Sequence, residues 1–281
     1  MKIIRVFPRR TNATPTDESA FVGYPTMFAE ADEVHISVTF SWDLPEAERL
    51  KKQWRYIAPV KIGGVATGQH GENFIPGMYL KKGYVITSRG CPNSCWFCDV
   101  WKREGQAVRE LPITEGWNVL DDNLLACSDA HIKAVFAMLA KQKQRPLFTG
   151  GLEAARLKQW HIDELVKLKP SEMFFAYDSQ SDREPLYEAG KMLRAAGFKT
   201  CHPLRAYVLI GYPGDTIEKA ENRLFDCINA GFTPMAMLYH DKSGKRDPAW
   251  IKFTWPWARP AIIYAKRKEI EQNNWRPKEE V

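Results

Sequence analysis

Hydrophobic and polar positions alternate along Val34–Phe40. Val34, Ile36, Val38 and Phe40 fall on one side, and His35, Ser37 and Thr39 on the other. That period of two predicts a half-buried strand, and Lys2–Phe7 reads as another. After residue 43 the period lengthens: Ala47, Leu50, Trp54 and Ile57 mark one helical face. Asp43 with Glu46 has the form of a capping box, with Pro45 in the first turn. Val60–Ile62 is a short strand ending at Gly63-Gly64. Strand, helix, strand predicts a parallel pair with a right-handed crossover. Five glycines and Pro76 between Gly63 and Tyr79 read as a linker. A small α/β region over residues 1–80 is expected.

From Tyr84 onward strands and helices alternate. Strands are expected at Tyr84–Thr87, Trp117–Leu120, Pro146–Thr149, Glu172–Tyr177, Arg205–Ile210 and Thr233–Tyr239. Ser128 is placed to cap a helix whose face holds Ile132, Val135, Phe136 and Leu139. The next helix is closed by Pro170. Ser181 and Glu184 open a further one, closed by Gly197. Ile217, Ala220, Leu224, Cys227 and Ile228 define the face of the last. Six such units predict an α/β fold, a partial (β/α)6 TIM-like barrel over residues 81–240. Only 18 residues separate Cys98 from Trp117, and they include Pro112 and two glycines, so the first barrel helix is expected to be short or absent. Polar and glycine residues cluster just after the strands, at the carboxyl ends where such folds carry their sites. Residues 241–281 form a basic extension with Trp250, Trp255, Trp257 and Trp275 among ten Lys and Arg, and one helix is expected near Ala261–Gln272.

Composition narrows the class. The chain has 281 residues, 44% hydrophobic and 26% charged, which is globular. Its longest run without Asp, Glu, Lys or Arg, Cys227–His240, is fourteen residues, too short for a membrane span. The opening MKIIRVFPRR has no apolar core with a cleavage site, so a reducing, cytoplasmic compartment is expected. A net charge of +6 permits a phosphorylated or nucleic-acid partner without requiring one.

Three of the six cysteines lie within eight residues, in the string Thr87-Ser88-Arg89-Gly90-Cys91-Pro92-Asn93-Ser94-Cys95-Trp96-Phe97-Cys98. Thiolates of Cys91, Cys95 and Cys98, spaced C-x₃-C-x₂-C, suit three corners of an iron–sulfur cubane and leave one iron open. A structural zinc wants four closed ligands, and no fourth Cys or His stands in the loop or soon after it. Cys227, on an apolar helix face, reads as core, and Cys201 as structural. Cys127, just past the second of the six strands, reads as a buried small residue or as a redox or acceptor thiol.

At these residues the chain resembles the radical S-adenosylmethionine superfamily, whose signature is C-x₃-C-x-aromatic-C, with Phe97 as the aromatic. The longer string is similar to the subgroup of cobalamin-type members and methylthiotransferases. Asp121-Asp122-Asn123 resembles that subgroup's acidic pair, Asp178-Ser179 its Glu-Ser, and Gly211-Tyr212-Pro213-Gly214-Asp215-Thr216 its Gly-x-Pro-Gly-Glu-Thr. The likeness covers about Tyr84 to His240. It implies a [4Fe-4S] cluster on the three cysteines, with its open iron chelated by S-adenosylmethionine. It also implies reductive cleavage to a 5′-deoxyadenosyl radical or related species. An electron donor such as flavodoxin or ferredoxin is the implied partner.

The roles so implied are an acceptor for the cofactor's amino group at Asp122, beside Asp121, and ribose contacts at Asp178 and Ser179. Main chain would approach the adenine at Gly211 and Pro213, and Phe97 would pack near it. Each motif also has a plainer use: a capped strand end at Asp121 and Asp122, a helix entry at Asp178 and Ser179, a tight turn at Gly211–Gly214. No Asp-x-His-x-x-Gly motif is present, so cobalamin is not expected. The basic balance and the tail tryptophans point to a nucleoside or nucleic-acid substrate. A small metabolite or peptide is the alternative within the enzyme class, and a non-catalytic iron–sulfur electron carrier or binding protein the alternative outside it.

Overall fold

Apolar alternation from Val34 to Ile36 is matched by burial in the computed structural model, which describes residues 1–68, 74–199, 203–241 and 247–273. The chain divides into two compact units, Met1–Asn118 and Val119–Val281.

The first unit opens with β1 (Ile3–Phe7), β2 (Ala20–Val22), β3 (Glu33–Ser37), α1 (Leu44–Trp54) and β4 (Val60–Gly63). Its sheet has the order β2-β1-β3-β4, with every pairing parallel. Ile4, Val6, Val34 and Ile36 pack against Ala47, Leu50 and Trp54 of α1. Trp54 is 0% exposed, and its indole N–H donates to Gly23 O at 2.9 Å, so burial leaves no polar atom unmet.

Three details differ from expectation. The strand at residue 34 stops at Ser37, and Val38 N–H instead donates to Gly63 O at 2.8 Å. Asp43 makes no cap bond, because its carboxylate pairs with the Arg9 guanidinium, Nε to Oδ2 at 2.6 Å. The described part of the Gly63–Tyr79 stretch is no loose linker. Arg5 donates to Gly77 O and Met78 O at 2.9 and 3.0 Å, and Tyr79 hydroxyl lies 2.6 Å from His35 Nδ1. β2, three residues long, is too short to show a period. His70 lies outside the described residues.

Next come β5 (Tyr84–Val85), β6 (Ser88–Arg89), α2 (Val100–Glu104) and β7 (Arg109–Glu110). β6 and β7 pair antiparallel, which the sequence reading did not foresee, while the helix after the cysteines is short as expected. Lys81 N–H donates to Ala13 O, and Trp117 and Asn118 N–H both donate to Gly83 O. These bonds lie within the first compact unit, which runs through Asn118.

That strand is β8 (Asn118–Val119). It is followed by α3 (Asp129–Ala140), β9 (Leu147–Phe148), α4 (Gln159–Leu168), β10 (Glu172–Ala176), α5 (Arg183–Ala195), β11 (Leu204–Ile210), α6 (Ile217–Asn229) and β12 (Thr233–Leu238). The sheet has six strands in the order β12-β11-β10-β9-β8-β5. β9 through β12 pair in parallel. Neighbours follow chain order, so every crossover advances the same way, and a single hand of crossover puts the helices on one face. β11 shows the consequence: Leu204, Ala206, Val208 and Ile210 are buried, and Arg205, Tyr207 and Leu209 only half-buried. On that second face Arg205 pairs with Glu172 at 3.3 Å and Tyr207 stacks on Phe174 at 4.5 Å. Met235 and Met237, opposite Tyr207 and Leu209 on β12, remain exposed. The expected α/β class holds as a six-stranded parallel sheet, an order that open and closed singly wound sheets share. Among the described residues no helix is long and apolar enough to cross a membrane.

The tail carries two helices, α7 (Pro248–Trp257) and α8 (Pro260–Asn273), where one was expected. Its tryptophans divide. Trp257 is 1% exposed and meets Phe225 edge-on, whereas Trp255 is 55% exposed with the Arg259 guanidinium over its ring. Trp275 lies outside the described residues. Trp257→Ala is expected to cost about 3–5 kcal/mol of stability, and Trp255→Ala less than about 0.5 kcal/mol. Urea unfolding of the two variants checks this, and equal effects would contradict the packing of α7.

Candidate functional site

The cysteine loop leaves β6 through Gly90, whose φ of +93° suits glycine. A Cβ there would stand 2.4 Å from Ala107 O, so only glycine lets the loop pass so close to the returning chain. Cys91 N–H donates to Gly105 O at 3.2 Å. Cys98 N–H donates to Cys95 O at 3.0 Å, and the same carbonyl accepts the Trp101 indole N–H at 3.0 Å. Cys95 and Cys98 therefore bracket one tight turn, with Cys91 anchored beside α2. Cys91 and Cys98 are half-buried and Cys95 is exposed. Phe97 is half-buried against the edge of Trp96. Behind the loop the buried Glu104 carboxylate takes Arg103 Nε at 3.0 Å and Arg109 Nη2 at 2.9 Å. This clamp was not foreseen, since no sequence pattern distinguishes it from a surface charge run.

In the second unit the remaining candidates all follow strands. Asp121 and Asp122 lie just past β8. Gly150 brings the end of β9 against them: a Cβ at this position would stand 2.5 Å from Asp121 O. Asp121 is 1% exposed and Asp122 half-buried. Neighbouring Asn123 is buried and donates to Glu153 Oε2 at 2.6 Å. The Asp121 carboxylate lies with Cys127 and His131, their ligand atoms all within 4.8 Å of one another. Ser128 caps α3 as expected, accepting His131 N–H at 3.2 Å.

Asp178 follows β10, and its Oδ1 accepts the Leu209 N–H of β11 at 3.0 Å. Burial pushes this carboxyl up to about 6; the Leu209 hydrogen bond opposes the rise, the Asp182 charge adds to it and Arg223 resists it. Ser179, not Ser181, forms the capping box, its hydroxyl 2.9 Å from Asp182 Oδ2 and 2.8 Å from Ser181 Oγ. Ser179 thus already holds the helix entry, while staying exposed.

After β11 the Gly211–Gly214 turn closes on Asp215. Asp215, 0% exposed at its side chain, accepts Gly211 N–H and Arg223 Nη2, each at 2.8 Å. Arg223 also donates to Leu209 O at 3.0 Å. Thr216 caps α6 by accepting Lys219 N–H at 3.2 Å. Pro213 and Gly214 are exposed, and Gly211 is half-buried. The acidic member of this motif is therefore the pivot of its own turn. A second buried carboxylate, Asp226, accepts Tyr177 and Tyr187 hydroxyls and Arg183 Nε, each at 3.1 Å. Burial and Asp226 push both phenols well up, which marks a structural cluster. Cys227 is fully buried beside it, as expected, with its thiol pushed up by burial. Ile217, expected on the same face, is exposed at the helix start. His240 follows β12, half-buried, and Cys201 and His202 lie outside the described residues. Compared with family models and with curated proteins, the chain gives no match.

The raised Asp178 carboxyl gives a pH test. The folded state holds its proton up to about pH 6, and the free carboxyl ionises near 3.8. Its contribution is present below about pH 4 and is lost as pH rises through about 6. Asp178→Asn keeps an acceptor for Leu209 without the charge. Relative to this variant, the wild type is expected to lose about 1–3 kcal/mol between pH 4 and 7. Urea midpoints across that range measure the difference, and a constant difference would contradict the shift.

Proposed function

We propose that the protein is a radical S-adenosylmethionine enzyme, with Cys91, Cys95 and Cys98 as the ligands of a [4Fe-4S] cluster. The observation that carries the reading is the loop itself: three thiols on a short segment, held by Gly90 and by hydrogen bonds to Gly105 and Trp101. The donor set fits, since three thiols, two half-buried and one exposed, are reachable, and the next Cys or His in sequence is Cys127. Bound there, such a cluster supplies the electron that breaks the sulfonium bond of S-adenosylmethionine.

The chain's own residues have simpler tasks. Asp122 offers a carboxylate to the cofactor's amino group, while Asp121 is turned towards Cys127 and His131. Asp178 offers Oδ2 to a ribose hydroxyl, its Oδ1 being held by Leu209. Ser179 stands beside it with its hydroxyl shared with the cap. Gly211 and Pro213 present main chain to an adenine edge, on a turn kept rigid by Asp215 and Arg223. Phe97 shields the loop. The monotonic strand order supports a half-barrel, whose open inner face at Met235 and Met237 suits a substrate entrance. A flavodoxin- or ferredoxin-like protein serves as electron donor, in the cytoplasm. For the substrate, the exposed Trp255–Arg259 pair keeps a nucleoside or nucleic acid ahead of a small metabolite or peptide.

Anaerobically reconstituted protein is expected to hold about four iron and four sulfide per chain. Cys91→Ala should lose them and Cys227→Ala should not. With a strong reductant, wild type should release 5′-deoxyadenosine and methionine, and Asp122→Ala should weaken cofactor binding with the cluster intact. Stoichiometric zinc without iron would refute the cluster, and a full cluster with no cofactor cleavage would favour the electron carrier. If the substrate is nucleic acid, affinity should fall steeply with salt, and Trp255→Ala should weaken it by about 1–3 kcal/mol. Salt-independent or absent binding would point to the small-molecule alternative.

A further inference from the structure

Asp121, Cys127 and His131 bring a carboxylate, a thiol and an imidazole together within one short stretch of the second unit. One ligand atom from each lies within 4.8 Å of the other two. Asp121 is 1% exposed and His131 8%, and Cys127 is half-buried. We propose that these three residues form a zinc-class metal site, separate from the cysteine loop, with one coordination position left for water or a small ligand.

The backbone holds each donor in place independently of any metal. Asp121 sits where β9 presses on the end of β8: Gly150 N–H donates to Val119 O at 3.0 Å, and position 150 has no room for a side chain. Cys127 closes the 3-10 turn Leu124–Ala126, its N–H donating to Leu124 O at 3.1 Å. His131 lies in the first turn of α3, pinned by its N–H to the Ser128 cap. Three local structures thus converge on one point.

The donor chemistry selects the metal. Thiolate with imidazole is a borderline-soft set that magnesium and calcium avoid and zinc accepts. Among the described residues one carboxylate, one thiolate and one imidazole meet here, which leaves a tetrahedral site one ligand short, the pattern of an open zinc site. Ligand atoms around tetrahedral zinc stand about 3–4 Å apart, so side-chain rotation of the order of 1 Å closes the set. The shape also argues against a Cys–His–Asp nucleophile. In such a relay the imidazole lies between its partners, which contact opposite nitrogens and stand farther from each other than from the ring. Here the three groups form a closed triangle.

The test uses the whole 281-residue chain and zinc itself. Alkylation is followed at each cysteine by peptide mass spectrometry, so Cys127 is read apart from Cys91, Cys95 and Cys98. One equivalent of zinc, counted apart from any metal at the loop cysteines, is expected to slow alkylation of Cys127 at least tenfold. Asp121→Asn and His131→Gln should each abolish this protection while loop cysteines respond as in wild type. A second measurement guards against slow labelling of a half-buried thiol or a variant that misfolds. The Cys91→Ala, Cys95→Ala, Cys98→Ala chain, its fold checked by circular dichroism against wild type, should bind about one cobalt ion with a thiolate-to-cobalt absorption band. Adding Cys127→Ser should remove that band. A triple variant with no band at saturating cobalt, or a band that survives Cys127→Ser, would overturn the site. So would Cys127 protection that persists in Asp121→Asn. None of these results depends on iron in the loop, so this site and the proposed cluster stand or fall separately.

Discussion

A parallel strand reaches its neighbour only by a crossover that returns to the same end of the sheet, and one hand of crossover is strongly preferred. The order β12-β11-β10-β9-β8-β5 is this constraint repeated without a reversal. Its result is that Asp121, Asp178 and Gly211 all begin loops at carboxyl ends. Spacing along the chain would never bring such residues into equivalent positions. The sheet does so because each follows a strand of the same direction.

Those loops carry more charge than a simple connection needs, and the structure shows where it goes. Asp178 ties β10 to β11 through Leu209, and Asp215 ties the glycine turn to Arg223. Both carboxylates accept a backbone N–H, and the buried Asp215 side chain a guanidinium as well, which offsets the cost of desolvating an ionised group. Scaffold and proposed site therefore share residues. Asp178 keeps one oxygen for the sheet and offers the other, and Ser179 divides its hydroxyl between cap and solvent. Pre-organisation of this kind holds a polar group in place before any ligand arrives.

Much of this was legible from periodicity. The helical face at Ala47, Leu50 and Trp54 and the alternation at Val34, Ile36 and Val38 were readable because burial imposes a period on the chain. Ser128 follows ordinary capping chemistry. What escaped were contacts between residues far apart in sequence. Arg9 draws Asp43 out of its cap, Arg5 binds the Gly77 and Met78 carbonyls, and Asp226 gathers two tyrosines and an arginine. Very short strands such as β2 and β7 have too few residues to declare a period. The cysteine spacing was plain in sequence, but its support by Gly90 against Ala107 and by the Glu104 clamp emerges only in three dimensions. Trp255 and Trp257, two residues apart on α7, show the same limit: composition groups them, and packing separates them.

The central claim is that the three loop thiols leave one iron of a cluster open to S-adenosylmethionine. Electron paramagnetic resonance of the dithionite-reduced, reconstituted protein, recorded with and without S-adenosylmethionine, addresses that iron directly. The expected result is a [4Fe-4S]⁺ signal whose g values and line shape change when the cofactor is added. A cluster signal that stays the same at saturating S-adenosylmethionine would contradict an open, cofactor-binding iron.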